Sequence, residues 1–231
     1  MPNQTTASEI QTIFNRIAPV YDQMNDWLSL GQHRIWKLMT VKWVEPQPGD
    51  RGLDICCGSG DLTRLLAKKI GSPGETIGLD FSADLLAVAK ENSPNLPITW
   101  IEGDALNLPF EDNYFNCATI GYGLRNVTNI PLCLKELFRI LKPSSKAAIL
   151  DFHQPSQPFM QLFQSWYLEN IVVPTAQHFG VTEEYAYIAP SVEQFPKGEK
   201  QVSLALEAGF VKAIHFPLAG GTMGILVLEK A

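Results

Sequence analysis

From residue 51 to residue 152 short apolar runs alternate with amphipathic stretches, and few folds accommodate that rhythm. The runs are RGLDICC, ETIGLD, LPITWIEGD, YFNCATIGYG and SKAAILDF. Runs this apolar have no polar face to give to water, so both sides of the sheet they form must be covered. Between them lie DLTRLLAKKI, closed by Gly71, then SADLLAVAKEN, with Ser82 as its cap, and IPLCLKELFRILKP, stopped by Pro143. Strands alternating with helices cross over right-handed. The expectation is therefore an α/β fold, a doubly wound and mostly parallel sheet resembling the Rossmann arrangement.

The flanks extend this plan. Residues 8–18 place Ile10, Ile13, Phe14 and Ile17 at helical spacing behind Ser8 as N-cap, and HRIWKLMTVKWV reads as a second helix. Residues 153–200 break the rhythm with aromatics and prolines and read as a helical insertion. The tail returns to pattern as one helix, KQVSLALEAGF, and a hairpin-like pair whose last strand is inserted antiparallel. With 231 residues and 45% apolar composition, the chain suits a single domain. Its parts are a helical cap (8–45), a core (50–152), a substrate or lid insertion (153–200) and a closing segment (201–231).

A net charge of −6 argues against a nucleic-acid partner, which needs a basic face. The four cysteines form no C-x-x-C pair and no zinc-like cluster, so the expectation is free thiols, a reducing compartment and no metal. Neither a secretory signal nor an apolar run of about 20 residues is present, which points to a cytoplasmic chain.

In an open parallel sheet the chemistry collects at the carboxyl ends of the strands. The first strand leads into Asp54-Ile-Cys-Cys-Gly58-Ser-Gly60-Asp61-Leu-Thr63, where Gly58 and Gly60 let backbone approach a ligand. The second ends in Asp80, an acceptor for both hydroxyls of a ribose, and the third in Gly103-Asp104-Ala105, with the acid at a purine edge. A dinucleotide fingerprint requires a third glycine where Thr63 stands. Three acids around one pocket repel a pyrophosphate and suit a ligand bearing a sulfonium and an ammonium, with Asp54 placed for the latter. An NAD-dependent oxidoreductase is thereby disfavoured, and the intact loop speaks against a non-catalytic subunit.

This is the pattern of class I methyltransferases, and the flanks narrow it. The stretch YDQMNDWLSLGQHRIWK (21–37) and Gly121-Tyr122-Gly123-Leu124-Arg125-Asn126-Val127 resemble signatures of the UbiE/MenG quinone methyltransferase family. GDLT, LPFED and RILKP agree, so the resemblance covers most of residues 10–152. It implies S-adenosylmethionine as methyl donor, no metal, and C-methylation of a prenylated quinol. Carried onto matching positions, Thr63, Asp80, Asp104 and Ala105 contact the cofactor, Gly58 and Gly60 shape its loop, and Gly121 lies near the methionine part. Ser144 and Ser145 replace the family's usual glycines, and Asp151 its commoner glutamate. These departures, with GYGLRN and YLENIVVP, resemble the cyanobacterial and plastid branch, which methylates demethylphylloquinol. Demethylmenaquinol, a ubiquinol precursor or another small phenol remain the alternatives.

A quinone ring is too electron-poor to attack a sulfonium methyl, so the acceptor is expected in its reduced form, held in line with the donor. Phenols ionise near 10, so the site must lower that value or supply a base. Arg125 is the first candidate to stabilise a quinolate, Asn126 to orient it or the substrate oxygen, and Tyr122 a further partner; a loop salt bridge is the alternative for Arg125. Asp22, His33 and His153 rank behind them. Phe159 to Val173 offers a lid, a tail groove, a membrane-facing surface or a homodimer contact for a protein whose acceptor carries an isoprenoid tail.

Overall fold

The computed structural model describes residues 7–18, 23–24, 26, 29, 31–182 and 187–231. In chain order the elements begin with helices α1 (Ala7–Ile17) and α2 (Gln32–Trp43). Strand β1 (Arg51–Ile55), helix α3 (Asp61–Ile70), β2 (Glu75–Asp80), α4 (Ala83–Glu91), β3 (Ile98–Glu102) and β4 (Phe115–Gly121) follow. Then come α5 (Ile130–Ile140), β5 (Leu141–Phe152), α6 (Pro158–Tyr167), α7 (Val173–His178), α8 (Ile188–Gln194) and α9 (Gly198–Glu207), and last β6 (Lys212–Leu218) and β7 (Met223–Glu229).

The strands form one seven-stranded sheet in the order β3-β2-β1-β4-β5-β7-β6. The first five run parallel, and β7 lies antiparallel between β5 and β6. This is the doubly wound α/β sheet expected from the alternating pattern. Successive side chains of a strand point to opposite faces. Ala147 and Ile149 accordingly join Leu134 and Leu137 of α5 on one side. Ala148 and Leu150 join Leu62 and Leu66 of α3 on the other. Both faces are dry, which is why these strands carry no polar alternation.

Local chemistry sets several boundaries. Ser82 caps α4 by accepting the N–H of Leu85 at 3.1 Å, and Asn129 caps α5 by accepting that of Leu132 at 3.0 Å. Three boundaries differ from the sequence expectation. Helix α1 already includes Ser8 and begins at Ala7. Helix α5 ends at Ile140 rather than at Pro143, because buried Leu141 is extended, pairs with Phe115 and opens the strand in which Pro143 lies. Helix α9 starts at Gly198, directly after Lys197 in an extended conformation.

The two flanks meet each other. Ile17 and Met24 form a small buried cluster with Val172, Ala176 and Val181, which joins the N-terminal helix to the insertion. Within that insertion a π turn over Leu168–Val172 links α6 to α7.

Candidate active site

The carboxyl ends of β1 to β4 open onto a cavity of about 600 Å³. The loop after β1 borders it with Cys56 at φ 55° and Gly58 at φ 53°, while Gly60, at φ 85° in the same left-handed path, is not part of the wall. Gly60 admits no side chain, since a Cβ there would stand 2.5 Å from Cη2 of Trp100.

Asp80 ends β2 and fixes this loop. Its two oxygens accept the N–H of Gly58 at 2.8 Å and of Ser82 at 2.9 Å. It is nearly buried yet lines the cavity, and burial pushes its pKa up to about 6 against those backbone hydrogen bonds. Asp104, exposed beyond β3, also lines the cavity and accepts the N–H of Leu106 at 2.9 Å. Ala105, Gly121, Tyr122 and Asn126 complete the set of predicted residues on its wall.

Asp54 and Thr63 occupy a different place. The hydroxyl of Thr63 donates to one oxygen of Asp54 and that of Thr119 to the other, each at 2.7 Å. All three side chains are buried behind the loop, and neither Asp54 nor Thr63 lines the cavity. Burial raises the Asp54 pKa to about 7, with the two hydroxyl bonds opposing it. The sequence placed both residues against the ligand. Here their side chains bond to each other across the β1–α3 turn and form an internal strut.

Arg125 likewise departs from the picture of a cation facing a substrate. Its guanidinium pairs with Asp151 at 2.7 Å, and its Nη1 also donates to the carbonyl of Tyr122 at 2.7 Å. The backbone N–H of Arg125 reaches the second Asp151 oxygen at 3.1 Å, and Phe152 lies under the guanidinium at 5.0 Å. With 7% of its side chain exposed, Arg125 is a clamp on the loop after β4. The amide of Asn126 donates to the same Tyr122 carbonyl at 3.0 Å. Its Oδ1 is buried without a partner in a residue that lines the cavity, and Nε of Arg125, which does not line it, is also buried without a partner. Tyr122 itself has φ 60°, a strained value that the clamp supports.

The remaining candidates stand apart from the cavity. His33 is buried with Nδ1 at 2.6 Å from the Ser29 hydroxyl, and burial lowers its pKa. His153 is buried with Nδ1 at 3.0 Å from the Asp151 carbonyl, while its Nε2 faces Gln201 and His215, each at 2.8 Å. Asp22 lies outside the described residues. Sequence reasoning missed Gln11, which reaches the Phe81 carbonyl at 2.6 Å and lines the cavity, and Asn15, at 2.5 Å from the Ser82 hydroxyl. The signal was present as two amides four residues apart on one face of α1. Among the described residues no group of three or more His, Cys, Asp and Glu side chains is arranged to hold a metal ion. None of the described helices is long and apolar enough to cross a membrane. The four cysteines are unpaired.

The profile of the ubiE/COQ5 methyltransferase family matches residues 3–230. The chain belongs to that family. Among its relatives is a 2-phytyl-1,4-naphtoquinone methyltransferase of Trichormus variabilis, 58% identical over 227 residues, covering 96% of this chain and 99% of that one. A protein of the same name from Synechocystis is 58% identical over 231 residues (98% and 97%). The 2-phytyl-1,4-beta-naphthoquinone methyltransferase, chloroplastic, of Arabidopsis thaliana is 50% identical over 230 residues (97% and 88%). The fold recurs in an S-adenosylmethionine-dependent methyltransferase from Thermotoga maritima, with a TM-score of 0.68 at 19% identity over 96% of this chain and all of that one. As a member of the family the protein is an S-adenosylmethionine-dependent methyltransferase.

Proposed function

We propose that the protein methylates a ring carbon of 2-phytyl-1,4-naphthoquinol, yielding phylloquinol and S-adenosylhomocysteine. The observation that carries this acceptor is near-full-length identity of 50% to 58% with proteins named for 2-phytyl-1,4-naphthoquinone, from cyanobacteria to a plant. We also read the chain as one catalytic domain with residues 8–45 and 153–200 as its covers.

The cavity's chemistry supports the donor. Asp80, Glu102 and Asp104 line it, a set of acids that favours a sulfonium-bearing ligand and opposes a pyrophosphate. When bound, the donor supplies a methyl group on a positive sulfur for in-line attack by carbon. Asp80 accepts hydrogen bonds from the ribose hydroxyls, which its ionised form favours above a pH of about 6. Asp104 and Ala105 border the purine, Gly58 and Gly121 leave room for the amino-acid portion, and Gly60 holds the loop in its tight turn. Asp54 and Thr63 act from behind as positioning residues, and Asp54 adds negative charge near the ammonium.

On the acceptor side Asn126 takes the leading role. Its unpartnered Oδ1, buried here, becomes an acceptor for a quinol hydroxyl once the side chain turns to the cavity, and accepting that hydrogen bond moves charge from the oxygen onto the ring. Tyr122 forms the neighbouring wall, and Arg125 positions both through the Tyr122 carbonyl. The ring carbon then gains the methyl group and gives up its proton.

The test is turnover with labelled donor against 2-phytyl-1,4-naphthoquinone, a demethylmenaquinone and a demethylated ubiquinone precursor, each oxidised and reduced. The expected result is methylation of the reduced phytyl compound fastest, with the oxidised forms inert. Preference for a benzoquinol, or equal rates with oxidised substrate, overturns the reading.

A further inference from the structure

We infer that α6 is a membrane-docking face that lies flat on uncharged lipid and carries the cavity end of the sheet to the bilayer. The inference rests on the proposed function in one respect, that the acceptor is a phytyl-tailed lipid held in a membrane.

Helix α6 has two faces with different work to do. Inward, Met160 packs where a Cβ on Gly220 would meet it at 2.6 Å, and Gln164 donates to the His153 carbonyl at 2.8 Å. Tyr167 joins the small cluster under the insertion. These contacts fix the helix's rotation. Outward, Phe159 (74% exposed), Leu162 (72%), Phe163 (45%) and Trp166 (52%) fall at the i, i+3, i+4, i+7 positions of one stripe. Ile171 (39%) continues it past the π turn. Each of these five side chains keeps more than a third of its surface exposed.

Charge identifies the occupant. No Asp, Glu, Lys or Arg occurs from Phe152 to Leu168, and no Lys or Arg between Lys146 and Lys197. A surface that binds anionic lipid carries lysines and arginines beside its apolar residues, and α6 with the segments next to it in sequence has none. Apolar side chains including Trp166, on a helix without a charged residue, complement a neutral lipid interface, and the exposed Glu169 just past the helix opposes anionic lipid. The area argues against a second copy. Five partly exposed side chains offer roughly 500 Å², short of the about 800 Å² each subunit gives to a stable interface.

Placement connects the face to the reaction. Strand β5 runs parallel to β4, so His153, just beyond β5, lies past the same sheet edge as Gly121 on the cavity wall. By holding the His153 carbonyl, Gln164 anchors α6 at that edge.

Co-sedimentation of the full chain with vesicles of phosphatidylcholine alone tests the inference, compared with vesicles containing phosphatidylglycerol and with salt from about 50 to 500 mM. The expected result is binding to phosphatidylcholine that varies less than about twofold with salt. It should fall about tenfold or more in the double variant Leu162→Gln/Trp166→Gln and survive in Trp166→Phe. A strict need for phosphatidylglycerol, equal binding by the double variant, or no binding at all overturns it. So does a dimer in sedimentation velocity that the double variant dissolves, since a second copy then covers the face. Turnover of a naphthoquinol with a short, water-soluble tail separates the two readings. Unaltered turnover in the double variant is expected, whereas vesicle binding as described with no naphthoquinol methylated removes the proposed acceptor and leaves the docking face standing.

Discussion

Around Gly60 the backbone has no room for a methyl group, whereas around Phe163 nearly half of a large aromatic side chain faces outward. The first region is the loop between β1 and α3, wedged under Trp100 and tied to Asp80 through Gly58. The second is the insertion, short helices resting on a small cluster shared with the N-terminal segment. The difference teaches how the molecule divides its labour. A donor of fixed shape is met by a wall set in advance, buried acids included, where desolvation is borne by the fold. On the proposed reading, a long flexible lipid is met by helices that commit little of their apolar surface to the interior.

Filling the rigid wall should have the largest effect. Gly60→Ala puts a Cβ into Trp100 at a φ that disfavours it, so a loss of about 3 kcal/mol or more is expected in urea unfolding. Next comes the buried acid under the loop. Burial raises the folded-state pKa of Asp54 to about 7 from 3.8, so the protonated form is the one the fold prefers. Its contribution to stability is therefore fully present below pH 4, is lost as pH rises toward 7, and stays lost above. Asp54→Asn should remove that dependence, a difference of a few kcal/mol between pH 4 and 8 in the cofactor-free protein, measured by unfolding at each pH. Unchanged pH dependence would show that the strut is already relaxed.

Smaller effects should report on binding rather than folding. Asp80→Asn keeps shape and loses charge, so the affinity for S-adenosylhomocysteine by calorimetry should fall about 10- to 100-fold. Arg125→Lys cannot hold Asp151 and the Tyr122 carbonyl with the same fork, so kcat should fall about tenfold with cofactor affinity unaltered. Equal losses in both would place Arg125 on the donor side. Phe163→Gln should cost only about 1 kcal/mol, because the ring contacts of Phe163 are with Trp166 and Tyr167 of its own helix. A larger loss would erase the contrast between the two regions.

Much of this could be read before any coordinates. The glycines at 58 and 60 and the acids at 80 and 104 were legible because strand ends in a parallel sheet converge, whatever the loops do. The strand following α5 was misjudged at its start, since Pro143 reads as a stop until Leu141 is seen paired with Phe115. Asp54, Thr63 and Arg125 stand out in the sequence, but the partners that hold them do not. Each is a polar side chain whose partner, Thr119 for the first and Asp151 for the last, comes from a different strand. Gln11 and Asn15 escaped notice because amides on a surface helix are common, and only their contacts with Phe81 and Ser82 reveal a cover.

The amino-acid order alone determined the alternation of strand and helix, hence a covered parallel sheet with its chemistry along one edge. Periodicity and turn residues act over a few positions and need no distant partner to be understood. Tertiary structure alone decided which polar groups face the cavity and which are held behind it. A carboxylate or guanidinium goes wherever a partner removes the cost of its burial, and that partner is chosen by packing across the sheet.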